Sequence, residues 1–131
     1  MRLLLDTHIW LWGLLEPKRL GRAVTRRLED PANELWLSPV SVWETLLLAE
    51  KGKVELNTSP RAWVEHQLDS VPMRDAPLTR EVATMSRMLN LTHEDPADRF
   101  IAATAVVYDL TLVTADERLC ASKHYQVLQN R

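Results

Sequence analysis

Short apolar runs alternate along the chain with longer segments in which apolar residues recur at helical spacing. The apolar runs predict strands at residues 2–5, 34–37, 110–113 and 126–128. A weaker strand at 71–73 is assigned to an edge, because Pro72 has no N–H to donate. Helices are predicted over residues 9–15, 22–29, 40–51, 61–68, 79–91, 95–108 and 117–120. The alternation predicts an α/β fold, a three-layer α/β/α sandwich with a mainly parallel central sheet, as one domain over residues 1–131.

The helix predicted at 95–108 is the best marked. Asp95 suits the N-cap and Pro96 the first helical position, where a missing N–H has no cost. From Phe100 to Tyr108 only Thr104 is polar, which is typical of a helix buried on nearly all sides. Asp98 falls in the first turn, where a carboxylate serves either the helix dipole or a ligand.

Two further carboxylates, Asp6 and Asp116, lie at comparable positions, and these two and Glu44 each have a capping interpretation beside a functional one. Asp6 and Asp116 come directly after predicted strands and before helices. Glu44 follows Ser41 with the spacing of a capping box, which is slightly favoured locally. Ser38-Pro39 is an equally good helix start, however, and would leave Glu44 beyond the capping position.

Repetition of this placement, at Asp6, at the Asp95/Asp98 pair and at Asp116, favours function over capping. Parallel strands end at one edge of a sheet, so carboxylates at these junctions can converge. Clustered carboxylates repel one another unless cations lie between them. A donor set made of oxygens points to Mg²⁺ or Mn²⁺. Two such ions held roughly 3.5–4 Å apart can bracket an in-line displacement at phosphorus.

Composition excludes other classes. A net charge of −2 argues against a protein that coats nucleic acid by positive charge alone, although residues 18–27 form a local basic patch. That patch is either a solvated helix face or a phosphate-backbone contact. With Cys120 as the only cysteine, no intrachain disulfide forms and a cytoplasmic setting is expected. The apolar N-terminus is interrupted by Asp6 and His8 and is too short to span a bilayer, so no membrane association is expected.

The four histidines lack the spacings of a zinc motif. They are His8, His66, His93 and His124. His8 and His93 are placed near the acidic edge, and a structural role is the better interpretation for each of the four. Cys120 is interpreted as a small buried residue, because nothing around it supports a nucleophile.

Four motifs in order resemble the PIN-domain family, in particular the VapC-type toxins of bacterial and archaeal toxin–antitoxin pairs. The motifs are Leu-Leu-Leu-Asp6-Thr7, Ser41-Val42-Trp43-Glu44, His93-x-Asp95-Pro96-x-Asp98-Arg99 with Ile101 to Ala105 behind it, and Leu112-Val113-Thr114-x-Asp116. Together they span nearly the whole chain. The chain departs from the pattern at His8, where such toxins often have Ser or Asn.

The resemblance implies a metal-dependent endoribonuclease with catalytic, metal-binding carboxylates at Asp6, Glu44, Asp98 and Asp116. Asp95 then keeps the capping role, and Thr114 supports the metal site. The resemblance further implies an RNA substrate, a homodimer and a small antitoxin that blocks the site. A non-catalytic module that binds RNA or protein is the alternative. A haloacid-dehalogenase-type phosphatase ranks lower, because its first strand would end D-x-D and His8 stands at the second of these positions.

Overall fold

The computed structural model describes residues 1–131 and is built on a parallel sheet of five strands in the order β3-β2-β1-β4-β5. The strands are β1 Arg2–Leu5, β2 Glu34–Leu37, β3 Arg74–Asp75, β4 Thr111–Thr114 and β5 Val127–Gln129. The helices are α1 Thr7–Leu15, α2 Arg22–Glu29, α3 Pro39–Glu50, α4 Pro60–Ser70, α5 Arg80–Met88, α6 Pro96–Val107 and α7 Glu117–Cys120, with a 3₁₀ turn at Pro17–Arg19. The predicted three-layer α/β fold is confirmed. None of the helices has the length and hydropathy of a membrane-spanning segment.

Strand β1 is the central strand of the sheet, which explains why residues 3–5 are all apolar. Successive strand residues point to opposite faces. Leu3 and Leu5 accordingly belong to one apolar core with α1, α2 and α4, while Leu4 belongs to a second core with α5 and α6. All three leucines are almost completely buried. Because β1 is covered on both faces, the residue that follows it, Asp6, has a fixed and buried position.

The strand register brings the ends of β1 and β4 together. Leu5 is opposite Val113, and the Asp6 N–H continues the ladder by donating to the Val113 carbonyl at 3.0 Å. Asp6, which follows β1, and Thr114, the last residue of β4, are therefore neighbours. Because all five strands are parallel, every strand reaches this same edge with its carboxyl end.

Helix α3 begins with Ser38, so the capping-box interpretation of Ser41 and Glu44 is wrong. The Ser38 hydroxyl accepts a hydrogen bond from the Val40 N–H at 3.1 Å, and Pro39 fills the first helical position. Ser41 lies inside the helix and is fully buried, where its hydroxyl accepts from the Thr7 hydroxyl at 2.9 Å. Glu44 lies one turn further along the helix and does not cap it.

Helix α6 runs through the middle of one layer, as its sequence predicts. Asp95 is the N-cap and accepts from the Ala97 N–H at 2.9 Å. Five consecutive residues from Ile101 to Ala105 are buried, and four of the five are Ala or Thr, whose small side chains let neighbouring elements approach closely.

Three smaller predictions were inaccurate. The edge strand forms at Arg74–Asp75 instead of residues 71–73, since pairing with β2 starts only beyond Pro72, at Trp36 and Arg74. Helix α5 ends at Met88 because Leu89 turns into an extended conformation. Cys120 is partly exposed, not buried. The remaining strand bounds differ by at most one residue at each end.

Candidate active site

The carboxyl edge of the sheet opens into an acidic cavity of about 560 Å³. Its walls include the four carboxylates singled out by the sequence, together with a fifth, Asp95. They arrive from separate elements: Asp6 from the end of β1, Glu44 from α3, Asp95 and Asp98 from the start of α6, and Asp116 from the start of α7. The predicted convergence of these junctions is therefore what the fold produces.

Asp6 is the most enclosed of the carboxylates, with only 5% of its surface exposed. One carboxylate oxygen accepts from the Thr7 N–H at 2.8 Å, and the other accepts from the Thr114 hydroxyl at 2.7 Å. Burial raises the pKa of Asp6, although these hydrogen bonds oppose the shift. Thr114 in turn accepts from the Asp116 N–H at 3.1 Å, so a single hydroxyl links Asp6 to the turn that carries Asp116.

Glu44 contains the one buried polar side-chain atom of the structure that has no hydrogen-bond partner. Its Oε1 is enclosed and accepts nothing. Burial raises the pKa of Glu44, and the negative charge of Asp6 acts in the same direction. A buried acceptor without a donor is costly unless something outside the protein satisfies it. A cation in the cavity would do so.

His93 lies between Asp98 and Asp116. Its Nε2 is 2.6 Å from an oxygen of Asp98 and 3.0 Å from an oxygen of Asp116. Potential ligand atoms of these three residues all lie within 4.8 Å of one another. Sequence reasoning assigned His93 a structural role and missed this contact. The available signal was its position two residues before Asp95, which places it beside the start of α6.

Asp98 and Asp116 have opposite electrostatic environments. Burial, reinforced by Asp6, Asp95 and Glu44, raises the pKa of Asp98 to about 8. Partial burial would also raise the pKa of Asp116, but hydrogen bonds from the Arg118 backbone and side chain and from His93 outweigh it, so this pKa is lowered. The cavity thus holds one carboxyl group that resists ionisation because it is buried and is surrounded by other carboxyl groups.

The donor set fits a hard divalent cation. Carboxylate oxygens are the ligands that Mg²⁺ and Mn²⁺ prefer. The unpaired Oε1 of Glu44 and the raised pKa of Asp98 both indicate a site that lacks positive charge. His93, Asp98 and Asp116 could each contribute a ligand atom to such an ion.

Two arginines and two aromatic residues also line the cavity: Arg19, Arg118, His8 and Trp12. The basic patch recognised in the sequence is divided by the fold. Arg19 borders the cavity, whereas Arg27 contacts the Met1 sulfur at 3.1 Å, at the opposite end of β1. Only the first part of the patch therefore lies beside the carboxylates.

Comparison with known proteins assigns the family. The PIN domain family model matches residues 3–124 of the chain. The chain belongs to the PIN-domain family. It is 35% identical over 122 residues to ribonuclease VapC22 of Mycobacterium tuberculosis (strain ATCC 25618 / H37Rv), covering 92% of each chain.

Solved structures support the same PIN fold. VapBC2 from Rickettsia felis, bound to a promoter DNA fragment, superposes with a TM-score of 0.74 at 16% identity over the full length of both chains. DNA-bound VapBC from Salmonella typhimurium gives 0.71 at 18% identity, covering 98% of each chain. FitAcB from Neisseria gonorrhoeae gives 0.68 at 22% identity, covering 97% of this chain and 96% of that one.

Three residues of the D-P-x-D-R stretch in this PIN domain have different roles. Asp95 caps α6, and Asp98 enters the cavity. Arg99 points the other way and is buried, where its guanidinium donates to the backbone carbonyls of Ser86, Leu89, Leu91 and His93 at 2.8–3.3 Å. Arg99 therefore anchors the segment that leads to His93 and does not face the cavity.

The raised pKa of Asp98 predicts a pH dependence of stability in metal-free protein. An ordinary Asp carboxyl has a pKa of 3.8, and this one has a pKa of about 8 in the fold. Between these values the unfolded chain gives up the proton while the folded chain keeps it. The contribution of Asp98 to the free energy of unfolding therefore decreases as the pH rises through this window. In EDTA, Asp98→Asn should consequently melt at a higher temperature than the unsubstituted chain near pH 8.

Thermal melting followed by circular dichroism between pH 4 and pH 8 measures this effect, with the pH limits set by the pKa shift of Asp98. The exposed Asp69 of α4 offers a matched control, since Asp69→Asn removes the same charge outside the cavity. A lower melting temperature for Asp98→Asn than for the unsubstituted chain at pH 8 would contradict the destabilisation predicted from the raised pKa of Asp98.

Proposed function

We propose that this PIN-domain chain is a metal-dependent endoribonuclease and the toxin of a toxin–antitoxin pair. The observation that carries the proposal is the convergence of Asp6, Glu44, Asp98 and Asp116 on one cavity that contains an unsatisfied buried acceptor. A relative at 35% identity over most of both chains is named a ribonuclease. Together these favour RNA hydrolysis over simple binding.

Each carboxylate has a role in this proposal. Asp6, Asp98 and Asp116 would hold Mg²⁺ or Mn²⁺ directly, and Glu44 would hold a second ion or orient the attacking water. Thr114 keeps Asp6 in one orientation through the 2.7 Å hydrogen bond. When bound, a divalent ion lowers the pKa of water and polarises the phosphodiester. The chain itself supplies a fixed set of oxygen atoms at the base of an open cavity.

The solved structures with this fold include complexes that are described as toxin–antitoxin pairs, among them one from Klebsiella pneumoniae. We therefore include a small antitoxin protein that covers the cavity as the partner of this chain. A cytoplasmic location belongs to the same proposal, because its RNA substrate and a lone cysteine both suit that compartment.

Cleavage of a mixed pool of structured RNAs tests the activity. The purified chain should produce discrete cuts with Mg²⁺ or Mn²⁺ and none in EDTA. Asp98→Asn keeps the side-chain size and removes a ligand charge, so its cleavage rate should fall by about a hundredfold or more, the scale on which lost electrostatic stabilisation slows catalysis.

Asp95→Asn is the matched control for this assay. It removes a negative charge from the same cavity, yet Asn caps a helix as well as Asp does, so cleavage should persist. Equal activity of Asp98→Asn and the unsubstituted chain would refute the site assignment. Tight, metal-independent RNA binding without cutting would favour a non-catalytic module instead.

A homodimer completes the proposal, and an apolar depression beside the cavity is where we place its contact. The depression has a volume of about 400 Å³ and is lined chiefly by Val40, Trp43, Leu78 and Phe100. Trp43 is 56% exposed, unlike Trp10 and Trp63, which are buried in the core. Since α3 and α6 carry both this surface and the carboxylates Glu44 and Asp98, a two-fold contact here would bring two acidic cavities to one groove.

Light scattering at tens of micromolar, a concentration range in which stable interfaces persist, should therefore give the mass of two chains. Trp43→Glu places a charge in the contact and should yield monomers. Met88→Glu is the control, because Met88 is also exposed and apolar but lies outside the depression. Monomers in the unsubstituted chain, or dimers that survive Trp43→Glu, would refute this interface.

A further inference from the structure

Arg19 is held in place more firmly than an exposed arginine usually is. Its guanidinium lies over the Trp12 ring, 4.1 Å from the ring centroid, and donates to Glu16 at 3.2 Å. Its side chain nevertheless remains 57% exposed. An arginine already ordered on an aromatic face loses little rotamer freedom when it binds a ligand.

Asn130, near the C-terminal end of the sequence, holds the backbone around Arg19 in place through hydrogen bonds. The Asn130 side chain donates to the Arg19 carbonyl at 3.0 Å and accepts from the Gly21 N–H at 2.7 Å. Gly21 is packed so closely that a Cβ there would lie 2.3 Å from the Arg131 carbonyl oxygen. Asn130 itself donates to the Thr114 carbonyl at 2.8 Å, which connects this turn to the strand that ends at the carboxylates.

The fixed arginine borders the acidic cavity, together with Trp12 and His8. The exposed His8 ring lies 5.9 Å from the Trp12 ring, tilted by 53°. Arg118, the other arginine of the cavity, has its guanidinium directed at Asp116 at 3.4 Å. Arg19 is thus the arginine of the cavity whose charge is not directed at one of the four proposed catalytic carboxylates.

A polyanion that approaches five carboxylates needs positive charge at the entrance. We infer that Arg19, held over the Trp12 ring, binds a backbone phosphate of the RNA at the border of the cavity and so guides single-stranded RNA towards the carboxylates. His8 beside it offers an exposed ring face on which an adjoining base can stack. This inference rests on the proposed ribonuclease function and assigns Arg19 to substrate binding and Trp12 to positioning Arg19.

Binding of a short, fluorescein-labelled RNA pool of random sequence, followed by anisotropy in Mg²⁺, tests the inference. All variants are made in the Asp98→Asn background, which we expect to bind RNA without cutting it. Arg19→Gln should weaken binding about fivefold, the upper range for one exposed ion pair. It should also reduce the slope of log K against log salt concentration by about 0.7, the value for one phosphate contact on a single strand.

Arg27→Gln is the matched control. It removes the same charge from the same stretch of sequence, but Arg27 lies at the opposite end of β1, so affinity and salt slope should not change. Arg19→Lys separates charge from stacking. Lysine keeps the phosphate contact and the salt slope, but it cannot lie flat on Trp12, so affinity should recover only in part.

Cleavage kinetics with Asp98 intact distinguish failure of this inference from failure of the proposed function. Arg19→Gln should raise KM with little change in kcat. Metal-dependent cleavage with the same KM in Arg19→Gln as in the unsubstituted chain would overturn the role of Arg19. It would still support the proposed ribonuclease function. Arg19-dependent RNA binding by a chain that cuts nothing would support the RNA contact and refute the nuclease.

Two further outcomes would overturn the role of Arg19. Arg19→Gln and Arg27→Gln variants with equal affinity and salt slope would show that Arg19 has no special place in RNA binding. Loss of antitoxin binding in Arg19→Gln, with RNA binding unchanged, would assign this surface to the protein partner. Melting temperatures of the variants establish that each one is folded.

Discussion

Repulsion among carboxylates that one sheet edge forces together is the constraint on which the rest of the structure depends. A parallel sheet delivers Asp6 and Asp116 to the same side, and α3 and α6 add Glu44 and Asp98. Burial and this crowding together raise the pKa of Asp98, and the enclosed Oε1 of Glu44 has no hydrogen-bond partner. The fold tolerates it because the surrounding layers are strongly apolar, with Leu3, Leu4 and Ile101 fully buried.

The residues around the cavity serve to keep this unfavourable arrangement in one geometry. The Thr114 hydroxyl bonds Asp6 and the Asp116 N–H, while the Thr7–Ser41 hydrogen bond ties α1 to α3. Arg99 immobilises the segment before α6 through carbonyl groups alone. A site that must bind a cation of fixed size gains from such rigidity, since its ligands need not be ordered at the moment of binding.

Much of the fold, and the placement of Asp6, Asp98 and Asp116 at one edge of the sheet, could be predicted because they follow from local signals. Glu44 was assigned to the site only through the family resemblance. A few consecutive residues are enough to recognise apolar runs, strand-to-helix junctions and the Asp95-Pro96 start of α6. His93 and the division of the basic patch could not be predicted in this way, since they depend on how distant elements pack. The cap of α3 was locally ambiguous between Ser38 and Ser41, and Ser38 prevailed because Ser41 is buried against Thr7.

Calorimetric titration of the metal-free chain with Mn²⁺ at pH 7, in buffers of different ionisation enthalpy, tests the central claim most directly. A divalent cation in the cavity would displace the proton that Asp98 retains with its pKa of about 8. The observed heat should therefore vary with the buffer for the unsubstituted chain and much less for Asp98→Asn. Absence of saturable binding would contradict the claim that the carboxylate cluster is a metal site. Saturable binding with a heat that does not depend on the buffer would contradict the proton retained by Asp98.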